Sequence, residues 1–305
     1  MAADTRGGSV LERIQALDPE RDYEEGYRLH AAWAFPWDTA RALELALLRT
    51  YAVPSVGDLL HATQEFEQRT QKRYDDTVLL LSAPAEHGFE SPQGRAAISR
   101  INRIHARFDI ADEDYAYVLS TFVAVPARWI ERFGWRPMSA HEQVITQTYY
   151  AELGRRMGIR GLPPTFAETL AFSAAYEEEH FGRTRGTEAV GTATRELFVR
   201  WFAPVPARVT RTAVHALCDE PLLRAFGWDP APRPVVRAAE AALRARARVV
   251  RHLPDRRAGV PATETGFVRT DPATPVERLG PSGAPLPAAL LPRPEAAGER
   301  PRAGG

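Results

Sequence analysis

The sequence predicts an all-α protein, a single multi-helix domain between two irregular ends. Three observations carry this expectation. Apolar residues recur at spacings of three and four over most of the chain. No segment alternates apolar and polar residues as a half-buried strand does. No fixed period repeats along the chain, which argues against a solenoid or propeller.

The elements follow in order. Residues 1–8 are small and polar and are expected to be disordered. TARALELALLRTYAV has helical periodicity, and Asp38 and Thr39 are caps for its start. VGDLLHATQEFEQRTQKRYDDTVLLLSA, opening after Pro54, reads as one long helix or two in series. SPQGRAAISRINRIHARFDI is the next helix. DEDYAYVLSTFVAVPARWIERFG follows, with Asp112 near its cap and Pro126 expected to bend or interrupt it. SAHEQVITQTYYAELGRRMGI opens on Ser139 and Glu142 at capping-box spacing and is expected to end near Gly158. TFAETLAFSAAYEEEHF, TEAVGTATRELFVRWFA, TRTAVHALCDEPLLRAF and VVRAAEAALRARARVVRHL complete the helical set. The Pro-, Ala- and Gly-rich end reads as a flexible tail, so the domain is expected to span 9–280 and the tail 281–305.

Composition narrows the function classes. The chain has 305 residues, enough for a large core. Hydrophobic residues make up 44% and charged residues 26%, as in ordinary globular proteins. Formal net charge is zero, so no global field draws the chain to nucleic acid or an anionic membrane. Lys72 is the only lysine, and arginine supplies the rest of the positive charge. The single cysteine, Cys218, permits neither an intramolecular disulfide nor a thiolate metal site, and it reads as a buried packing residue. No signal-peptide pattern opens the sequence and no apolar run is long enough to span a bilayer, so a cytoplasmic protein is expected. Zero net charge leaves the oligomeric state undetermined.

Several chemistries lack their marks. A di-iron bundle needs two Glu-x-x-His motifs, and the chain has one, Glu177 to His180, which also reads as a solvated acidic face. There is no His-Glu-x-x-His, no Gly-x-Ser-x-Gly, no phosphate loop and no dinucleotide fingerprint. A b-type heme asks for less: one axial histidine in an apolar slot, with cations near the propionates. In ISRINRIHARFDI, Ile98, Ile101, His105 and Phe108 fall on one helical face, while Arg100, Arg103 and Arg107 flank it. His105 fits two roles, a packed core histidine or an iron ligand. Upstream, Arg73 and Thr77 stand at i and i+4, so a guanidinium and a hydroxyl share one face. They suit an anion, a propionate or bound oxygen, and equally an exposed network with Asp75 and Asp76.

Several segments together resemble a known family. AFPWDTARALELALLRTYAVPSVGDLL, RYDDT, ISRINRIHARFDIADEDYAYVLSTFVAVPARWIERFGWRPMSAHEQ and LGRRMGI occur in that order. This pattern is similar to the mpaB-type oxygenases, whose domain is shared with the latex clearing proteins, or rubber oxygenases. The sharpest pieces are Arg100 to His105 and Phe122 to Ile130. The resemblance implies an all-helical fold with globin-like character, a buried pocket for non-covalent heme b, and dioxygen as co-substrate. Rubber oxygenases cleave the double bonds of polyisoprene, and the mpaB-type enzyme of mycophenolic acid biosynthesis cleaves a prenyl side chain. It also implies His105 as the iron ligand, Arg73 and Thr77 as catalytic or propionate-contacting groups, and Arg103 as a further cofactor contact.

Two departures stand out. Asp76 occupies the place before the threonine where rubber oxygenases can carry a lysine, and the chain shows no membrane anchor. The expected substrate is therefore a small apolar metabolite, olefinic or prenylated, in a pocket lined by Phe122, Trp129 and Trp135. Glu65, Glu67 and Asp76 are candidates for a base. His61 is the alternative axial group, and His30, His87, His141, His215 and His252 read as surface or helix-end residues. Two other readings use the same residues: a non-catalytic heme- or lipid-binding or gas-sensing protein, and an oxidase or dehydrogenase without carbon–carbon cleavage.

Overall fold

The structure, a computed structural model, describes residues 9–281. The irregular ends expected at 1–8 and 281–305 fall outside this range, Pro281 excepted. Among the described residues there are helices and no strand. They are α1 (Val10–Gln15), α2 (Tyr23–Arg28), α3 (Pro36–Thr50), α4 (Pro54–Thr63), α5 (Glu65–His87), α6 (Pro92–His105) and α7 (Asp112–Phe133). Then come α8 (Ala140–Arg156), α9 (Phe166–His180), α10 (Arg185–Trp201), α11 (Ala207–Leu217), α12 (Glu220–Phe226), α13 (Arg233–Arg251) and α14 (Ala262–Thr265). A π-helical turn, Leu29–Ala34, joins α2 to α3.

Local chemistry explains many of the ends. Ser139 accepts from the Glu142 N–H while Glu142 reaches back to the Ser139 N–H, closing the expected capping box of α8. Gly158 sits at φ +71° just past that helix. Thr165 and Thr184 build the same box at α9 and α10, and Ser91 caps α6. Proline starts α3, α4 and α6, where its missing N–H is harmless.

Four expectations need correction. First, α3 begins at Pro36, so Asp38 and Thr39 are not caps. Asp38 is buried and accepts from Trp129 Nε1 at 3.2 Å and Arg246 Nη1 at 2.9 Å. Second, Pro126 does not interrupt α7, which runs unbroken between α3 and α9. Packing on both flanks outweighs the roughly 3 kcal/mol that an interior proline costs. Third, α6 stops at His105 rather than near Ile110, and Phe108 turns back into the core from the following bend. Fourth, TRTAVHALCDEPLLRAF is two helices, broken where Cys218 closes α11 and Asp219 caps α12. The long 56–83 segment is two helices, because Gln64 adopts φ +58° between α4 and α5.

The core is centred on α7, whose buried side chains run from Asp114 to Phe133. Helices α3, α8 and α9 pack around it. A second apolar cluster joins Leu48 and Phe66 to Leu222 and Phe226. Helix α4 lies close against α10 because Gly57 has no side chain; a Cβ there would meet Thr187 Cγ2 at 2.7 Å. Beyond α13 the chain returns as a strap over α5 and α6. Asp75 accepts from the N–H groups of Arg269 and Thr270, Lys72 donates to the Gly280 carbonyl, and Arg100 donates to the Leu279 carbonyl. No helix among the described residues is long and apolar enough to cross a membrane.

Candidate functional site

Helices α3 to α8 enclose a cavity of about 250 Å³. Leu59 and Leu60 come from α4, Ile101 and Ile104 from α6, and Phe122 from α7. His105, Arg73 and Thr77 all line it. The structure thus brings together three of the four residues singled out in the sequence. Arg103 is exposed and is not among the lining residues.

His105 reaches the cavity because α6 is amphipathic. Ile98 and Ile101 bury the face on which the imidazole follows one turn later. No hydrogen bond from a described residue engages either ring nitrogen, and the Tyr115 ring lies 5.4 Å away. Burial, and then the charge of Arg73, lower the imidazole pKa from 6.5 to about 4. The ring is therefore neutral near pH 7, with a lone pair free to bind a metal.

Arg73 and Thr77 face the cavity from one side of α5. The guanidinium donates to the Thr77 hydroxyl, which donates to the Arg73 carbonyl at 2.9 Å. Arg73 has no carboxylate partner among the described residues. The alternative network does not form, because Asp75 binds Gln71 and the strap, and Asp76 pairs with Lys72 at 2.6 Å. An unpaired guanidinium on an apolar wall is free to meet an anionic group. Gly280 and Pro281 of the strap complete the lining, and Lys72 and Arg100 hold the Gly280 and Leu279 carbonyls.

Other expectations fare differently. Phe122 lines the cavity, whereas Trp129 packs on Asp38 and Trp135 donates to the Ala34 carbonyl at 2.9 Å, both away from it. Glu65 and Asp76 lie on the wall; Glu67 does not and instead pairs with His61 at 2.5 Å. His61 is also absent from the lining. The Glu177–His180 pair is no metal site. Glu177 is buried and takes Arg49 Nε and Nη2 at 2.8 and 2.6 Å, while His180 stacks on Tyr176. Only Glu178 and Glu179 form the solvated face expected there. His30 is not a surface residue: it is buried against Glu142 at 3.0 Å. Burial raises the Glu142 pKa, but hydrogen bonds from His30 and Arg136 outweigh it and hold the carboxyl well below its usual range. Cys218 is half-buried, with its thiol pushed up to about 12 by desolvation. No group of three or more His, Cys, Asp or Glu among the described residues could hold a metal by itself.

Tyr51 and Asp114 also line the cavity and carried no sequence signal. Burial pushes the Tyr51 phenol up to about 12. Asp114 accepts from Ser55 at 2.9 Å and Tyr176 at 2.8 Å, bonds that only the packing of α4 and α9 on α7 creates.

A cavity walled mostly by apolar side chains, with the His105 imidazole and the Arg73 guanidinium on its wall, is the candidate site of this helical protein. Comparison with known proteins makes the class specific. The chain belongs to the family described as ER-bound oxygenase mpaB/B'/Rubber oxygenase, catalytic domain, which matches residues 27–252. This is an oxygenase family. ER-bound oxygenase mpaB of Penicillium roqueforti (strain FM164) is 31% identical over 145 residues, 45% of this chain and 49% of that protein. ER-bound oxygenase mpaB of Penicillium brevicompactum is 32% identical over 131 residues, 41% of this chain and 33% of its own length. The same species' mpaB' is 32% identical over 131 residues, 31% of its length. The matched stretch is thus half or less of each relative.

Proposed function

We propose that this protein is a heme b-dependent oxygenase acting on a small apolar olefinic or prenylated molecule. The observation that carries the reading is His105, an uncommitted neutral imidazole on the wall of an apolar cavity that Arg73 and Thr77 also line. The residues fit a b-type heme in kind: one free nitrogen ligand, apolar walls and a cation with no carboxylate partner. When bound, heme b supplies the oxygen chemistry, with dioxygen as co-substrate.

The chain's own groups supply position and electrostatics. His105 would hold the iron, and its depressed pKa keeps the ligand nitrogen unprotonated down to mildly acidic pH. Ile101, Ile104 and Phe122 exclude water and hold an olefin by apolar contact. Arg73 stabilises negative charge developing in the cavity, and removing one such donor costs about 3 kcal/mol. Thr77 keeps the guanidinium in place through its hydrogen bond. Glu65 and Asp76 are the candidate bases on the wall, the first held by Arg69 at 2.7 Å and the second by Lys72 at 2.6 Å. Oxidative cleavage of a carbon–carbon double bond is the reaction this reading favours.

The test is the visible spectrum of protein expressed with ample heme. A Soret band is expected, and His105→Ala is expected to lose or shift it. Absence of the band overturns the heme reading, and an unchanged band in His105→Ala moves the ligand elsewhere. Oxygen uptake on adding isoprenoid olefins then tests the activity.

A further inference from the structure

Arg73, Thr77, Leu81 and Ala85 stand four residues apart and form one ridge along α5. Arg73 lines the cavity already described. Ala85 lines a second one, of about 120 Å³. Thr77 and Leu81, between them on the ridge, line both, as do Leu47 of α3, Phe122 of α7 and Leu153 of α8. The two cavities are thus parted by a single layer of mostly apolar residues. Leu47 and Leu81 pack on the central core yet are only half-buried, as side chains flanked by cavity space are.

The second cavity exists because small side chains wall it, among them Ala31, Ala32, Ala40 and Ala85. The charged groups that border it are committed to the protein. Arg28 pairs with Glu25, Glu86 accepts from the Ala262 N–H, and Glu44 accepts from Arg41 at 2.6 Å and Tyr74 at 2.8 Å. What the wall offers an occupant is therefore apolar contact. An empty apolar space is destabilising, and an apolar chain that fills it removes that cost. An apolar cavity of about 150 Å³ accepts benzene, so this one suits about five carbons.

We propose that the second cavity takes the far end of the substrate, an apolar chain reaching about five carbons past the partition, and that Leu81 sets the chain length admitted. This rests on the reading of the first cavity as the substrate site. The ridge from Arg73 to Ala85 runs about 18 Å along α5, from the candidate site to the second cavity. A long flexible molecule fills both spaces, whereas a compact one leaves the second empty. Leu81 is not β-branched, so it changes rotamer more readily than valine or isoleucine would, and a chain can push it aside.

Displacement of an apolar fluorescent dye from the full chain measures affinity for a ladder of 1-alkanols, from hexanol to tetradecanol. Each CH₂ that enters apolar space is expected to tighten binding about fourfold, until the second cavity is full. Ala85→Leu and, independently, Ala40→Val enlarge residues that line the second cavity and not the first. They are expected to shorten the longest chain accommodated by about three and about two carbons, the carbons each adds. Hexanol, which the first cavity can hold, is expected to bind as before. The melting temperature is not expected to fall, because both variants fill space. Leu81→Ala is expected to tighten the longest alkanols severalfold and leave hexanol unchanged. A length limit that both filling variants leave in place, or a loss shared equally by hexanol, overturns the tail assignment. An unchanged ladder in Leu81→Ala overturns the role of Leu81. A normal Soret band with no shift in the ladder sinks this inference alone, and a shifted ladder without a Soret band sinks only the heme reading.

Discussion

Replacing His105 with leucine is expected to remove a defined part of the acid sensitivity of the cofactor-free protein. Burial, then the charge of Arg73, bring the imidazole pKa from 6.5 down to about 4. Between those values the folded chain keeps the ring neutral while the unfolded chain protonates it. The unfolded state then binds more protons, so stability falls as pH drops below 6.5 and the loss is complete below about 4. Above 6.5 both states are neutral and the effect vanishes. At a pH of about 4.5 the linkage amounts to about 2.5 kcal/mol. Leucine carries no proton in either state. Urea unfolding of both proteins at neutral pH and near pH 4.5 isolates the difference, because the carboxylates titrate in both. The leucine variant is expected to lose about 2.5 kcal/mol less than the parent on acidification. Equal losses would refute the burial of a neutral imidazole, and with it the argument that His105 is ready to bind a metal near pH 7.

Arg49→Met leaves the buried Glu177 short of its bidentate partner and is expected to cost about 3–5 kcal/mol by urea unfolding. The double variant with Glu177→Leu is expected to recover a large part of that loss. Asp75→Ala removes the acceptor for Arg269, Thr270 and Gln71, and trypsin is expected to cut the 252–281 strap faster than in the parent. Gly57→Ala drives a Cβ against Thr187 and the Tyr51 carbonyl and is expected to cost about 1–3 kcal/mol. Glu44, raised by burial to about 7 against the lowering effect of Arg41, destabilises the fold as pH climbs from 4.5 through that value. Glu44→Gln is expected to flatten that limb in urea unfolding at pH 5 and 8.

Much of the helical layout was legible because it is local. The capping box at Ser139, the turn at Gly158 and the amphipathic face of α6 depend on neighbours within a few residues. The convergence of His105 with Arg73 and Thr77 was legible only through the order of motifs that the family shares. Errors clustered where distant chain decides. Trp129 and Trp135 are aromatics at helical spacing, and nothing local distinguishes a cavity wall from ordinary core. His30 reads as a helix-end residue until α8 brings Glu142 to it.

The sequence by itself determined the helical class, the starts of helices such as α6, α7, α8 and α9, and the family, because periodicity, caps and motif order are written in neighbouring residues. Tertiary structure alone decided which polar groups are committed. Glu177 was taken up by Arg49, Asp75 by the returning strap and His61 by Glu67, while His105 was left without a hydrogen-bond partner among the described residues beside the cavity. The Glu177 and Asp75 pairings join segments more than a hundred residues apart, and it is burial that makes the His105 imidazole neutral near pH 7.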